Sequence, residues 1–393
     1  MHKKIHFHLL KLLFLFTLFT GVITTHAQDT SHLRIALLTC SPGEELYSTF
    51  GHTAIRITDS SSVQDLVFNY GTFNFDDPGF YAKFIQGKLL YYVSTSYFSD
   101  FKDEYQSSGR GITEQVLNLN AAEKIAIQQF LYNNVKEENK YYKYDFFFDN
   151  CTTRPRDIIL KFKKDKPAFK RVMPAGTTFR NAIHLYLDKN RKPWSKLGID
   201  ILLGAPTDAV MTADQAQFLP DNLMKSFAGS SQPHALVLSQ DDLYIVTNDA
   251  DSSTCITPML VTVFTLLLMI VCSFSKNKGV ILFVQGFDGM LFFLTGALGI
   301  ALIFMMTATD HGMCRNNYNL LWALPSNVVL AFLVKSKKGW AKKMFGFTTI
   351  ILILVLLGWF FLPQLMNNSL IPLVLLLANR SSSFFFKPVQ RHF

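Results

Sequence analysis

The sequence predicts two parts: an α+β globular domain exported across a bacterial inner membrane, followed by an all-α membrane domain of five helices. Three observations lead there. Hydrophobic residues make up 49% of the 393, but unevenly: 30–250 reads as a mixed, polar-surfaced chain, and 255–380 is dominated by long apolar runs. The N-terminus is basic and then apolar, the form of an export signal. Basic residues between the later apolar runs collect in alternate loops, those on the inner side of the expected membrane.

Taken in order, Lys3, Lys4 and Lys11 precede the apolar stretch Leu12–Ile23, which is short for a span. Small residues end at Thr25-His26-Ala27, so residues 1–27 read as a signal peptide cleaved after Ala27; the alternative is an uncleaved anchor. No lipobox is present, because Cys40 lies well beyond the cleavage region. The net charge of +9 is concentrated in the first twelve residues and in clusters between apolar runs. It therefore reads as a topology signal and not as a nucleic-acid footprint.

Residues 28–250 read as the exported domain. Leu33–Leu38 is strand-like and ends in the turn Ser41-Pro42-Gly43. Thr53–Thr58 and Leu66–Tyr70 are two more strands, joined as a hairpin through Asp59–Asp65. Ala121–Asn134 has helical spacing, with Asn120 and Glu123 placed for a capping box. A second helix is expected over 157–163 and a strand over Leu236–Val246. The membrane domain, 251–380, holds apolar segments at about 255–274, 279–306, 319–334, 344–362 and 364–379. With residue 250 outside, the inner loops carry Lys276 and Lys278, then Lys335, Lys337, Lys338, Lys342 and Lys343. Arg380, Lys387 and Arg391 lie at the inner end, where 381–393 reads as a cytoplasmic tail; the outer loops carry only Arg315 as a strong base.

The five cysteines, at 40, 151, 255, 272 and 314, show neither metal-ligand spacing nor a disulfide framework, and no cofactor is expected. Cys40 and Cys151 could pair, which would silence either as a nucleophile. The segment Asp149-Asn150-Cys151-Thr152-Thr153-Arg154-Pro155-Arg156 carries the chemistry. It enters a helix, where the macrodipole and unpaired N–H groups favour thiolate and a developing oxyanion. Arg154 and Arg156 are expected to add positive field, and Asn150 to contact substrate. A buried structural cysteine is the alternative, against which the polar Asn-Cys-Thr-Thr setting argues. A thiolate nucleophile needs a base, and His52, opening a strand after Gly51, is the candidate. The residue orienting its imidazole is Asn69, or in competition Asp65. His184 sits among Leu185 and Leu187 and reads as a packing residue.

A histidine on a strand, with Asn-Cys at a helix start about a hundred residues later, resembles the circularly permuted NlpC-type, papain-like fold. Lecithin:retinol acyltransferase-like enzymes, which work through a Cys thioester, belong to that group. Three longer stretches resemble the Lnb-type family of envelope proteins: Leu38-Thr39-Cys40-Ser41-Pro42-Gly43-Glu44-Glu45-Leu46-Tyr47-Ser48-Thr49-Phe50-Gly51-His52, Phe68-Asn69-Tyr70-Gly71-Thr72-Phe73 and Tyr144-Asp145-Phe146-Phe147-Phe148-Asp149-Asn150-Cys151. The resemblance covers nearly the whole mature chain. It implies a permuted papain-like periplasmic domain on a multi-helix membrane domain, with Cys151 as nucleophile and His52 as base. It also implies lipoprotein N-acylation, in which a fatty acyl chain passes from a phospholipid donor to the α-amino group of a diacylglyceryl-cysteine lipoprotein.

Five spans exceed what anchoring needs, whereas an enzyme whose donor and acceptor both sit in a bilayer must hold its nucleophile at the lipid surface. The outer loop Thr307–Gly312 places Asp310 and His311 on the side of Cys151, where they are expected to bind a headgroup or the acceptor amine; a plain solvated loop is the alternative. Asp288 falls inside the second apolar run, where an ionisable group is costly, and is given no role. Two further readings stand beside acyl transfer: a membrane-bound cysteine peptidase or amidase acting on cell-wall peptides with the same two residues, and a non-catalytic scaffold.

Overall fold

The computed structural model describes residues 31–231, 233–246 and 256–386. The expected signal peptide, its cleavage point, Cys255 and residues 387–393 lie outside the described residues.

β1 (Leu33–Cys40), β2 (His52–Asp59) and β3 (Gln64–Thr72) are the three expected N-terminal strands, each slightly longer than its apolar alternation suggests. They are followed by α1 (Phe80–Ile85), β4 (Leu90–Tyr97), α2 (Phe98–Ser107), β5 (Ile112–Leu117) and α3 (Ala121–Asn134). Then come β6 (Tyr141–Lys143), α4 (Thr153–Phe162), α5 (Phe179–Lys189), α6 (Pro193–Leu202), α7 (Pro220–Ala228) and β7 (Val237–Tyr244). The strands form one antiparallel sheet in the order β6-β4-β3-β2-β1-β5-β7. Its central strands are covered on both faces, which accounts for their near-continuous apolarity. Ile35, Leu37, Ile55 and Phe68 pack with Ile127 and Leu131 of α3, Ile158 and Ile159 of α4, and Phe227 of α7. Leu38, Cys40, Ala54 and Val67 face Phe101 and Tyr105 of α2.

α3 begins with the capping box its sequence encodes: the Glu123 N–H donates to Asn120 Oδ1, and the Asn120 N–H donates to Glu123 Oε2, each at 3.0 Å. α4 starts four residues earlier than expected. Pro155 occupies its first turn, where a missing N–H costs no hydrogen bond, so the proline does not exclude the helix.

In the membrane part, α8 (Pro258–Ser273), α9 (Lys278–Thr307), α10 (Asn327–Leu333), α11 (Gly339–Leu357) and α12 (Ile371–Phe386) fall on the five apolar segments. Among the described residues three helices are long and apolar enough to cross a membrane: Lys278–Thr307, Gly339–Leu357 and Asn368–Phe386. α8 is shorter, and the segment 319–334 is not one continuous helix. It opens as a 3-10 turn, Tyr318–Leu321, and resumes only at Asn327, after Pro325. This broken segment lies directly against α9, where a Cβ on Gly296 would sit 2.2 Å from the Val328 nitrogen and one on Gly299 would sit 2.0 Å from the Ala323 oxygen. Small residues thus let the two backbones touch. The last helix continues to Phe386, beyond the apolar run that ends near residue 379.

The outer ends of the membrane helices are fastened to the sheet domain. The Trp194 indole donates to the Ile256 carbonyl at 2.8 Å ahead of α8. Gln364 and Asn367, after α11, donate to the Leu203 carbonyl and the Asp200 carboxylate, both at 2.9 Å. Asp200 also accepts from buried Arg180 at 2.9 Å and lies 2.7 Å from His184 Nε2. The reading of His184 as a packing residue is therefore corrected: its ring serves a buried carboxylate at the junction of the two domains.

Asp288 lies beside Arg380, whose Nε and second nitrogen donate to the two carboxylate oxygens at 2.7 and 2.8 Å. Both side chains are buried, so Arg380 belongs to the bundle and does not reach the cytoplasm as a topology-setting base. Removing one member of such a pair leaves a charge in an apolar interior. Arg380→Met is expected to lower stability in detergent by about 3 kcal/mol, read from the thermal midpoint. Asp288→Leu/Arg380→Met should recover most of that loss, because both charges are then gone.

Candidate active site

Cys151 sits one residue before the Thr152 N-cap of α4, in a turn closed by the backbone bridge between Asp145 and Asp149. Asn150 fixes this turn. Its Oδ1 accepts from the Thr152 and Thr153 N–H groups, each at 2.8 Å, and its Nδ2 donates to the Phe146 and Phe218 carbonyls at 2.7 and 2.9 Å. The side chain is buried, with donors and acceptor all engaged. The expectation that Asn150 contacts substrate is replaced by a positioning role. Asn150→Ala leaves those buried groups unpartnered and is expected to cost about 1–3 kcal/mol of stability in chemical denaturation.

The cap also decides which donors remain for an oxyanion. The Thr152 and Thr153 N–H groups are occupied, while the Cys151 N–H has no hydrogen bond among the described residues.

His52 opens β2 directly opposite Cys40 on β1. Its Nε2 lies 3.2 Å from Asn69 Oδ1. An amide oxygen only accepts, so Nε2 carries the proton and Nδ1 is left to accept one. The competitor Asp65 is at the other end of the β2–β3 ladder, opposite Thr58, and is held by Arg56 at 2.8 and 2.6 Å. That register removes it from His52.

His52 and Cys151 come together across the end of the sheet. The His52 imidazole is within hydrogen-bonding reach of the thiol, as are the Thr53 backbone N–H and the Thr152 hydroxyl, the last at 3.8 Å from Sγ. Burial by itself disfavours the thiolate, but the nearby His52 charge and these hydrogen bonds outweigh it and hold the Cys151 thiol below its ordinary value. Cys40 behaves oppositely: fully buried, its thiol is pushed up to about 12. Both cysteines are free thiols, so the pairing that would have silenced Cys151 does not form.

The expected field of Arg154 and Arg156 is corrected. Arg154 is engaged in a bidentate pair with Asp149 at 2.6 and 2.8 Å and lies over the Tyr142 ring. Arg156 pairs with Asp157 at 2.7 Å. Neither charge is left free for the thiolate.

Four contributors went unread in the sequence. Thr53 and Thr152, both fully buried, have their hydroxyls 3.2 Å apart between β2 and the α4 cap. Gly71 approaches closely: a Cβ there would lie 3.3 Å from the Cys151 Cβ, on backbone at φ +92°. Tyr144 lies beside the same point, its hydroxyl within hydrogen-bonding reach of the thiol. The glycine following Asn69-Tyr70 was the one available signal for this contact.

Asp310 and His311, expected to bind a headgroup or the acceptor amine, hold their loop against the sheet domain. The Asp310 carboxylate pairs with Lys143 at 3.0 Å, its N–H donates to the Gln86 carbonyl at 2.9 Å, and His311 Nε2 lies 3.1 Å from the Phe84 carbonyl. The Lys143 ammonium holds the Asp310 carboxyl below the usual carboxylate range. No group of three or more His, Cys, Asp or Glu side chains able to hold a metal occurs among the described residues.

Two family models match the chain: one described as the Lnb N-terminal periplasmic domain over residues 22–181, and one described as the Lnb transmembrane domain over residues 249–391. No curated protein and no solved structure matches it.

Proposed function

Because the chain belongs to the Lnb family and joins a periplasmic sheet-and-helix domain to a membrane domain of apolar helices, we propose that it is a lipoprotein N-acyltransferase of the bacterial inner membrane. The observation that carries this reading is the thiol of Cys151, lowered in pKa and held against His52, itself held by Asn69. The histidine strand preceding the cysteine helix is the order expected of a permuted papain-like domain.

The reaction runs in two halves. The Cys151 thiolate attacks the carbonyl carbon of a glycerophospholipid ester, forming a C–S bond and an oxyanion toward which the Cys151 N–H is available. The oxyanion collapses, the C–O bond breaks, and the His52 imidazolium gives its proton to the departing glycerol oxygen. Lysophospholipid leaves and a thioester remains. The α-amino group of a diacylglyceryl-cysteine then attacks the thioester carbonyl while His52 takes a proton from nitrogen. The C–S bond breaks, the amide forms, and the thiolate–imidazolium pair is restored. Asn69 engages Nε2 and so leaves Nδ1 as the atom that gives its proton to the leaving oxygen in the first half and takes one from the amine in the second.

Mass spectrometry of lipoprotein N-termini, in cells lacking and then regaining this gene, tests the assignment. A third acyl chain on the N-terminal amine that appears only with the gene supports it. Unchanged N-termini, with cleaved cell-wall peptides, would move the assignment to a peptidase or amidase using the same two residues.

A further inference from the structure

α1 is a six-residue helix whose outward face is aromatic. Phe75 just before it, together with Tyr81 and Phe84, is 63, 75 and 49% exposed, a concentration that a soluble surface seldom leaves uncovered. The helix is fastened to the outer end of α9: the Asp310 N–H reaches Gln86, His311 reaches the Phe84 carbonyl, and Gly87 lies close against Asp310. α9 is an apolar helix of membrane-crossing length ending at Thr307, with Ile300, Ile303 and Phe304 exposed on its last turns. The aromatic residues of α1 are therefore held at the outer end of α9, the depth at which aromatic rings favour the membrane interface. Lys88, exposed beside Asp310, adds a cation at headgroup level.

From this face a chain of rings leads inward. Phe84 stacks on Phe80 at 6.1 Å between centroids, Phe80 meets Phe73 at 5.9 Å, Phe73 meets Tyr91 at 5.4 Å, and Tyr91 stacks on Tyr144 at 4.4 Å. Tyr144 in turn lies against Cys151. We propose that α1 and this aromatic track form the donor-lipid site, with Phe75, Tyr81 and Phe84 seated in the outer leaflet and the track guiding one phospholipid acyl chain to the thiol. The role in delivery rests on the acyl-transfer reading; the contact with lipid does not.

The full chain carrying Cys151→Ser, reconstituted in phosphatidylethanolamine–phosphatidylglycerol vesicles doped with diazirine-acyl phosphatidylcholine, is irradiated and the label mapped by peptide mass spectrometry. Label within residues 73–85 is expected. In parallel, the triple variant Phe75→Ser/Tyr81→Ser/Phe84→Ser, which keeps Cys151 and alters only exposed side chains, is compared with the wild type. Acylation from a long-chain phospholipid should fall about tenfold or more through lost apolar contact, while acylation by a soluble short-chain thiol-reactive ester stays within about twofold. No label in 73–85, with equal long-chain rates in variant and wild type, overturns the proposal. Label in 73–85 with no phospholipid-derived thioester in the wild type overturns acyl transfer and the delivery role, and supports lipid contact alone.

Discussion

Replacing Cys151 by alanine is expected to cut N-acylation by the reconstituted protein at least about a thousandfold, the loss typical of removing a covalent nucleophile. The fold should survive. Cys151 lies in the turn ahead of α4, and that turn is held by Asn150 through four hydrogen bonds that do not involve the cysteine side chain. A thermal transition close to wild type, together with lost transfer, would place the defect in chemistry. Retained transfer would require a different nucleophile, and Cys40 is a poor substitute, because burial pushes its thiol up to about 12.

His52→Ala is expected to be nearly as severe, again on the order of a thousandfold, since it removes both the proton acceptor and the charge that favours thiolate. It also makes a pH prediction whose sign follows from the environment of Cys151. In the wild type, burial opposes the thiolate, and the His52 charge with its hydrogen bonds overcomes that opposition. The lowered pKa means that thiolate persists as pH falls below the range of an ordinary thiol. Without His52 the burial remains while the principal opposing influence is lost, so the titration moves upward. The rate of Cys151 alkylation by iodoacetamide, followed against pH, should therefore shift to higher pH in His52→Ala, slowing roughly tenfold at neutral pH for each unit of displacement. An unmoved profile would separate His52 from the thiol. His52→Gln serves as a second variant that keeps much of the ring's volume.

Cys151 and His52, proposed here as nucleophile and base, stood out in the sequence because their signals are local: a cysteine among polar residues entering a helix, and a histidine opening a strand behind a glycine. The partner of the imidazole was legible only as a choice between Asn69 and Asp65, because the two share one face of β3 by strand parity, and it is the register setting Asp65 against Thr58 that removes the competitor. Arg154 and Arg156 misled for a related reason. Their charges are visible in the sequence, but their pairing with Asp149 and Asp157 is a matter of side-chain geometry. Asn150 misled because a cap and a substrate contact ask for the same amide. The strands β1 to β3 and the capping box of α3 followed from short-range patterning. The break in segment 319–334 and the Asp288–Arg380 pair did not, since each depends on what the folded bundle places alongside, the latter across 92 residues.

The central claim is that the Cys151 thiol accepts a fatty acyl chain from a phospholipid. The most direct measurement incubates the purified full chain with acyl-labelled phospholipid in the absence of acceptor and maps the label by peptide mass spectrometry. The account predicts a hydroxylamine-sensitive acyl group on Cys151, absent from the Cys151→Ala variant and discharged when a diacylglyceryl-cysteine peptide is added. An unlabelled Cys151 in protein that nonetheless acylates lipoprotein, or label on another residue that turns over with the same acceptor, would contradict it.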